Sequence, residues 1–417
     1  MKLKALSSSM LLALVPVSGA YAAAMDRSGQ SISAFLQPNN YFEAGISALS
    51  PDVAGKTKAG ANINDMADDY HFPSAALKVQ AAEKISFGLI YDQPFGAKAT
   101  FDPTETTILG GTEVDVKTQS LSMIFGFQPI ESLNFYGGGV YQRVKGELTL
   151  AGNETQFLNG YNAVFKEGSS TGWLAGAAFQ IPDIALKASI TYRSEIDHDL
   201  TTTENPAVAK ARLTGYAASI QPVQPLQAAQ INALAGTINS TDPSEKTRLS
   251  TPQSVNLDFQ TGIMADTVAF ANIRWVNWEK TSIRPDKFNQ ISKVLTQLQQ
   301  KGNGGFDLLQ YQKDQWSVNA GVGRKLSEKW AGTASVGWDS GAGNPVTVLG
   351  PTEGYWNVGL GAQFSPTPST FIAGGVKYFW LGDAKGQLAS QAGTTDYIGT
   401  FDDNTAFAFG LKVGYKF

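Results

Sequence analysis

Hydrophobic and polar positions alternate most strictly at the end of the chain. From Phe407 to Phe417 the odd positions are Phe, Phe, Leu, Val, Tyr and Phe, and the even ones are Ala, Gly, Lys, Gly and Lys. Successive side chains of a strand point to opposite faces, so this period of two predicts a strand with one apolar face and one small or polar face. Similar segments recur back along the chain, at Thr370–Gly382, Tyr355–Phe364, Trp330–Asp339, Asp314–Lys325, Thr267–Lys280 and Thr251–Met264. Further towards the N-terminus come Ala185–Leu200, Thr171–Gln180, Leu133–Leu150, Val114–Phe127, Ile85–Asp92, Ala75–Ala81 and Tyr41–Leu49, which makes fourteen predicted strands.

The connections between these segments alternate in length. Ala82–Lys84, Gln128–Ser132, Ile181–Asp183, Ala265–Asp266, Ser327–Lys329 and Ser365–Ser369 are tight turns, whereas Ser50–Ser74, Gln93–Glu113, Ala151–Ser170, Thr201–Ser250, Thr281–Lys313, Ser340–Gly354 and Asp383–Asp402 are long. A soluble sandwich strand also alternates, but a sandwich has no reason to sort its loops in this way. Short turns on one side, long loops on the other and an even strand number define a bacterial transmembrane barrel, and a terminal strand that ends on an aromatic residue resembles the last strand of such barrels. The expected fold is therefore all-β: a 14-stranded antiparallel transmembrane β-barrel with helical extracellular loops and a short N-terminal lumenal segment.

Strand parity assigns faces. In Leu133–Leu150 the apolar even positions, Tyr136, Val140, Val144, Leu148 and Leu150, read as facing lipid, which turns Tyr141, Arg143, Lys145 and Glu147 to the lumen. In Ala185–Leu200 the expected lipid face is Leu186, Ala188, Ile190 and Tyr192, with Lys187, Thr191, Arg193, Glu195 and Asp197 inward. Around Trp275 the expected outward residues are Ala271, Ile273 and Trp275, and the inward ones Asn272, Arg274 and Lys280. Two long loops carry apolar residues at helical spacing, in Pro222–Asn239 and Pro285–Lys301. Such a stripe either packs over the barrel mouth or collects a greasy substrate there.

The N-terminus changes the picture of location. Lys2 and Lys4, an apolar stretch from Met10 to Val17 and Ala20-Tyr21-Ala22 stand in the order of a secretory signal, so residues 1–22 are expected to be cleaved. Residues 23–40 then form a short segment ahead of the barrel, which takes up 41–417. No later window approaches the roughly 18 apolar residues of a membrane-spanning helix. The net charge of -4 offers no broad basic face for nucleic acid, and 43 Gly with 23 Phe, 14 Tyr and 8 Trp suit strands and aromatic girdles. The absence of cysteine excludes disulfides and thiolate chemistry, and two histidines, His71 and His198, argue against a histidine-rich metal site. No cofactor and no metal are expected.

At this point the sequence resembles the outer-membrane long-chain fatty acid transporters of the FadL type. The resemblance rests on Ile190-Thr191-Tyr192-Arg193-Ser194-Glu195, on Thr251-Pro252-Gln253-Ser254-Val255, on Trp275-Val276-Asn277-Trp278, on Gly337-Trp338-Asp339-Ser340 ahead of Pro345, and on Tyr355-Trp356-Asn357-Val358-Gly359-Leu360-Gly361. It spans nearly the whole mature chain. It implies a monomer in the outer membrane of a Gram-negative bacterium, in contact with lipid and lipopolysaccharide, delivered by the barrel-assembly machinery, taking up a fatty acid or other hydrophobic ligand by passive diffusion. It also implies capture among the outer loops, a lumenal site where cations meet a carboxylate, and exit sideways beside a kinked third strand. Here Gln93-Pro94-Phe95-Gly96 follows the third strand, where Pro and Gly would interrupt the ladder and open the wall, or else simply turn the chain into an outer loop. The family's N-terminal Asn-Pro-Ala element is missing; Met25–Asn40 carries Asp26-Arg27-Ser28-Gly29-Gln30-Ser31 instead.

Arg143 matches a lumenal arginine of the family pattern and is the first candidate to meet a carboxylate, with Lys145, Arg193 and Lys280 behind it. The competing reading places Arg143 and Lys145 in a structural network with Glu147, Glu195 and Asp197. Three other functions stay open: a general porin for small hydrophilic solutes, which would need an open aqueous lumen; a channel for aromatic or alkane hydrocarbons; and an outer-membrane enzyme using Asp197-His198-Asp199, although parity points His198 away from Asp197.

Overall fold

Every one of the fourteen predicted strands is present, and together they close into one barrel. The computed structural model describes residues 24–104, 109–241 and 244–417, so the expected signal peptide lies outside the described residues. The strands are β1 (Tyr41–Asp52), β2 (Tyr70–Ala82), β3 (Ile85–Asp92 and, after an interruption, Gly96–Thr100), β4 (Glu113–Ile130), β5 (Leu133–Leu150), β6 (Tyr161–Ile181) and β7 (Leu186–Arg193 and Ile196–Glu204). They continue with β8 (Ser244–Thr251 and Ser254–Met264), β9 (Thr267–Val276), β10 (Gln315–Lys325), β11 (Trp330–Asp339), β12 (Tyr355–Thr367), β13 (Thr370–Leu381) and β14 (Thr405–Lys416). Each pairs antiparallel with the next, and β1 pairs with β14 from Tyr41↔Lys416 to Asp52↔Thr405. Closure of β1 on β14 leaves the sheet without a free end strand, which a membrane demands. Among the described residues no helix is long and apolar enough to cross a membrane.

The outer loops hold three α-helices: α1 (Pro206–Ile220), which the sequence pattern did not reveal, and α2 (Pro225–Gly236) and α3 (Asp286–Leu298), which fall in the two apolar stripes. Ile231 on α2 and Phe288, Ile291, Val294 and Leu295 on α3 are buried, which favours the packing reading of those stripes; Leu226 on α2 is 87 % exposed. A small sheet of Gly55–Thr57, Asn62–Ile63, Val346–Thr347, Ala384–Gln387 and Gly399–Phe401 adds to this cap.

The lipid-facing surface is bounded by aromatic rows. Trp275 pairs with Trp316, and Trp338 with Trp356 and Trp356 with Trp380, so tryptophans of adjacent strands line up on the outside near the loop end. Phe127, Phe135, Phe179, Trp330, Tyr415 and Phe417 are exposed near the turn end. Such belts mark the two membrane interfaces. On β14 the predicted faces are observed: the odd residues from Phe407 to Phe417 are exposed, and Ala406, Ala408 and Lys412 are buried. β5 and β6, at 18 and 21 residues, are much longer than the roughly 9–11 a tilted strand needs to span lipid, so their outer ends stand above it.

The faces of β5 are the reverse of those expected along the whole strand, beginning with Tyr136, which is buried against lumenal Phe35. Val140, Val144, Leu148 and Leu150 are buried and face the lumen. Arg143 pairs with Gln119, and Tyr141 with exposed Leu121, so Tyr141, Arg143, Lys145 and Glu147 point outward. Beyond the lipid, the outside is water and takes charge, while the inside takes the apolar residues. In β7 the expected faces hold from Leu186 to Arg193. The break at Ser194-Glu195 then flips the parity, so Ile196, His198 and Leu200 face in, while Asp197 faces out against Arg248 and Ser250.

Candidate functional site

The N-terminal segment runs through the lumen. Asp26 bridges to Phe95; the Arg27 amide donates to the Pro94 carbonyl at 2.7 Å and the Gly96 amide to the Met25 carbonyl at 2.8 Å. Further along, Phe35 is 1 % exposed and packs edge-on against Tyr136, with ring centroids 5.6 Å apart. A Cβ on Gly88 or Gly126 would stand 2.4 Å or 2.9 Å from the Phe35 ring, so these two glycines make its socket. Burying one such side chain contributes about 2 kcal/mol.

The segment is held by a buried polar cluster. The Arg274 guanidinium donates to Asp26 at 2.6 Å, to Asn256 at 2.7 Å and to Gln30 at 3.0 Å, and Asn256 donates to the Gly29 carbonyl at 2.7 Å. Arg274 and Asp26 are 2 % and 1 % exposed. Ser28 donates to Asp92 at 2.7 Å, and Arg193, 5 % exposed, lies in the same layer. A charge so buried is tolerable only when paired and hydrogen-bonded.

Above the segment lies an apolar cavity, with about 1010 Å³ of empty space including its open mouth. Leu49, Val53, Met66, Val114, Val116 and Leu148 line it from the wall, and Ile283, Leu308, Leu309 and Tyr311 from the loops. Arg27 brings charge to it, while Lys98 and Glu147 border it on strands whose register turns their side chains outward. Gly350-Pro351-Thr352 also borders it. Next to that stretch, burial pushes the Glu353 carboxyl up to about 7, against the opposing pull of Lys313 and the Gly343 amide.

The wall beside this cavity is incomplete. β3 is interrupted at Gln93-Pro94-Phe95, and its ladder to β2 ends at Ala75↔Tyr91, so Tyr70–Ser74 of β2 have no partners in β3. The strand then resumes as Gly96–Thr100, paired with β4. One side chain spans the gap. Tyr70 Oη donates to the Lys98 carbonyl at 2.9 Å and accepts the Lys98 amide at 2.6 Å, while Arg27 donates to it at 3.0 Å and lies 4.3 Å above its ring.

Below the segment is a second cavity, of about 1500 Å³ with its opening included, and more polar groups line it than line the outer one. Asn256, Asp258, Asn319, Ser335, Asn357 and Lys377 face into it. Glu43, Lys187 and Lys412 line it close to the turn ends of β1, β7 and β14, so it is the periplasmic vestibule.

The four cations singled out in the sequence therefore part company. Arg193 is lumenal, as expected. Arg143 and Lys145 stand on the outer face, where Arg143 pairs with Glu167 at 3.3 Å, because β5 is polar outward above the lipid. Lys280 is exposed in a turn beyond the end of β9. Arg27, which reaches the apolar cavity, and Lys98, whose backbone holds the gap beside it, went unread because neither sits in an alternating strand segment or a recognised motif. His198 faces in, 3.0 Å from Gln142, on the opposite side of β7 from Asp197, which leaves no carboxylate–histidine pair.

A closed antiparallel barrel with aromatic girdles, an apolar cavity under its outer loops and a chain segment across its lumen defines an outer-membrane transport protein. Residues 22–417 match the family described as outer membrane protein transport protein (OMPP1/FadL/TodX), and the chain belongs to it. No curated protein matches the chain. A FadL homologue of Pseudomonas aeruginosa has a similar structure, with TM-score 0.67, 15 % identity and coverage of 97 % of this chain and 98 % of the other. The P. putida toluene transporter TodX gives 0.58 at 12 % identity, covering 91 % and 90 %, and the Ralstonia pickettii toluene transporter TbuX 0.57 at 10 %, covering 97 % and 98 %. At these identities the likeness concerns the fold.

Proposed function

We propose that this barrel takes up hydrophobic small molecules, long-chain fatty acids first among them, by passive diffusion: capture in the outer apolar cavity, then lateral exit through the gap between β2 and β3. One observation carries the reading. The apolar cavity adjoins the interrupted stretch of wall, and Arg27 stands at that junction, where a carboxylate would meet a cationic donor while its chain stayed in apolar surroundings. The lumenal segment supports this over an open porin, because it lies between the cavity and the vestibule. A neutral hydrocarbon is the second reading. Arg27 is already engaged by Tyr70, and Lys98 lies 3.7 Å from Asp68, so the cavity also suits a ligand without charge.

Uptake of radiolabelled oleate and toluene tests both, in cells lacking their own transporter and expressing this chain, Arg27→Ala, or Arg143→Ala as an outer-face control. Oleate uptake lost in Arg27→Ala, with toluene uptake and the Arg143→Ala variant near wild type, is the expected result. Toluene uptake alone by the wild type establishes the hydrocarbon reading. Uptake of neither compound refutes transport of hydrophobic molecules, and loss in Arg143→Ala returns the carboxylate site to the outer face.

A further inference from the structure

The vestibule has one cation more than its acids account for. Glu43 pairs with Lys412 at 3.1 Å, and Arg274 with Asp26 at 2.6 Å. Asp258 accepts from Asn272 at 2.8 Å and from Ser189 at 3.4 Å, on the side where Lys187 donates to the Leu36 carbonyl at 3.1 Å. Lys377 has no hydrogen bond and no ion pair among the described residues. It projects inward from the middle of β13, level with outward Val376 and Tyr378, so it lies at membrane depth. An ionisable group at that depth without a protein partner marks a functional position.

The wall around it makes room for a guest. Ser335, Gly359 and Lys377 form one row across β11, β12 and β13. A Cβ on Gly359 would stand 2.7 Å from Ser335 Oγ and 2.9 Å from Cγ of Lys377, so the glycine lets the lysine stem and the hydroxyl share one hollow. Asn357 and Asn319, which line the same cavity, each carry a buried side-chain oxygen without a hydrogen-bond partner. Leu36 and Phe270 supply apolar surface elsewhere in the same cavity.

We propose that the vestibule is a second ligand site, which takes a small organic monoanion, a short-chain monocarboxylate, entering from the periplasmic end with its carboxylate on Lys377 and the Ser335 hydroxyl. A single unmatched cation calls for a single negative charge, and Glu43 and Asp258 on other strands of the wall oppose a dianion. The apolar patch accommodates a short hydrocarbon body, and the lumenal segment bars entry from the outer cavity. The site is independent of what the outer cavity carries.

The test is calorimetric titration of butyrate into the purified full-length barrel in detergent, with neutral butyramide as the control. Saturable binding of butyrate alone is expected, weakened by about tenfold or more in Lys377→Met and by no more than about threefold in Lys377→Arg. A second readout needs no variant: butyrate slows acetylation of Lys377 in the wild type, followed by mass spectrometry. Absence of saturable binding, equal binding to Lys377→Met, or acetylation of Lys377 unaffected by butyrate would each overturn the proposal.

Discussion

The outer cavity and the periplasmic vestibule share one barrel, yet their walls obey opposite rules. In the vestibule the strands follow ordinary membrane practice, with Val376 and Leu360 towards lipid and Lys377 and Asn357 towards the lumen. At the outer end of β5 the order is inverted, with Leu148 inside and Arg143, Lys145 and Glu147 outside. What lies outside the barrel decides. Where lipid touches the wall, apolar residues must face it, and the lumen is left for polar groups; where water touches it, the wall is free to turn its apolar face inward and build a greasy pocket. The segment from Met25 to Gln30 is the boundary between the two regimes.

The largest expected effect comes from erasing that boundary. Arg274→Leu leaves Asp26 buried without its partner, at a cost of about 3–5 kcal/mol, and frees the segment. Steady conductance in planar bilayers should rise, and the double variant Arg274→Leu with Asp26→Leu should fall back towards the wild type. Conductance unchanged in Arg274→Leu would mean that this cluster does not keep the two compartments apart.

A smaller effect is expected at the gap. Tyr70→Phe removes the hydroxyl that spans β2 and β3 and leaves the Lys98 amide without its acceptor, a local loss of about 1–3 kcal/mol. Hydrogen exchange at the Lys98 amide should accelerate by about tenfold, since 1.4 kcal/mol corresponds to that factor, while exchange in β13 stays as it was. Equal exchange in variant and wild type would show that something other than Tyr70 holds the strands together.

The mildest effect concerns pH at the rim of the outer cavity. Burial raises the Glu353 carboxyl from 4.5 to about 7. The folded loop therefore binds the proton more tightly than the unfolded chain. The hold on this loop is fullest below 4.5 and is lost as pH rises through about 7. Exchange protection of Gly350–Gly354, corrected for intrinsic rates, should fall across that window in the wild type and stay level in Glu353→Gln. The vestibule should show no matching transition, and a parallel decline in both variants would place the titrating group elsewhere.

Much of this was legible in the alternation of the chain. All fourteen strands, the short turns and two of the three loop helices follow from residue periodicity, because a lipid-facing strand leaves a strong signal. α1 was hidden, because its buried face of Ala209, Leu213 and Ala217 is mostly small and carries little contrast. The faces of β5 were misread because alternation gives a period without a direction. Only the strand's length, far beyond what lipid requires, betrayed that its outer end lies in water. Arg27, Lys98 and Tyr70 were missed because they meet through the closure of the barrel, across 43 and 28 residues of chain, and no local pattern records such a meeting.

The two-residue break at Ser194-Glu195 has a wider meaning. A strand whose parity is reset half way up is two strands in series, and its upper and lower halves can be rewritten independently. A chain so divided can exchange the lining of its outer chamber from one descendant to the next while the half that anchors it in the membrane stays untouched. A substitution above the break would then leave the facing of the residues below it as it was.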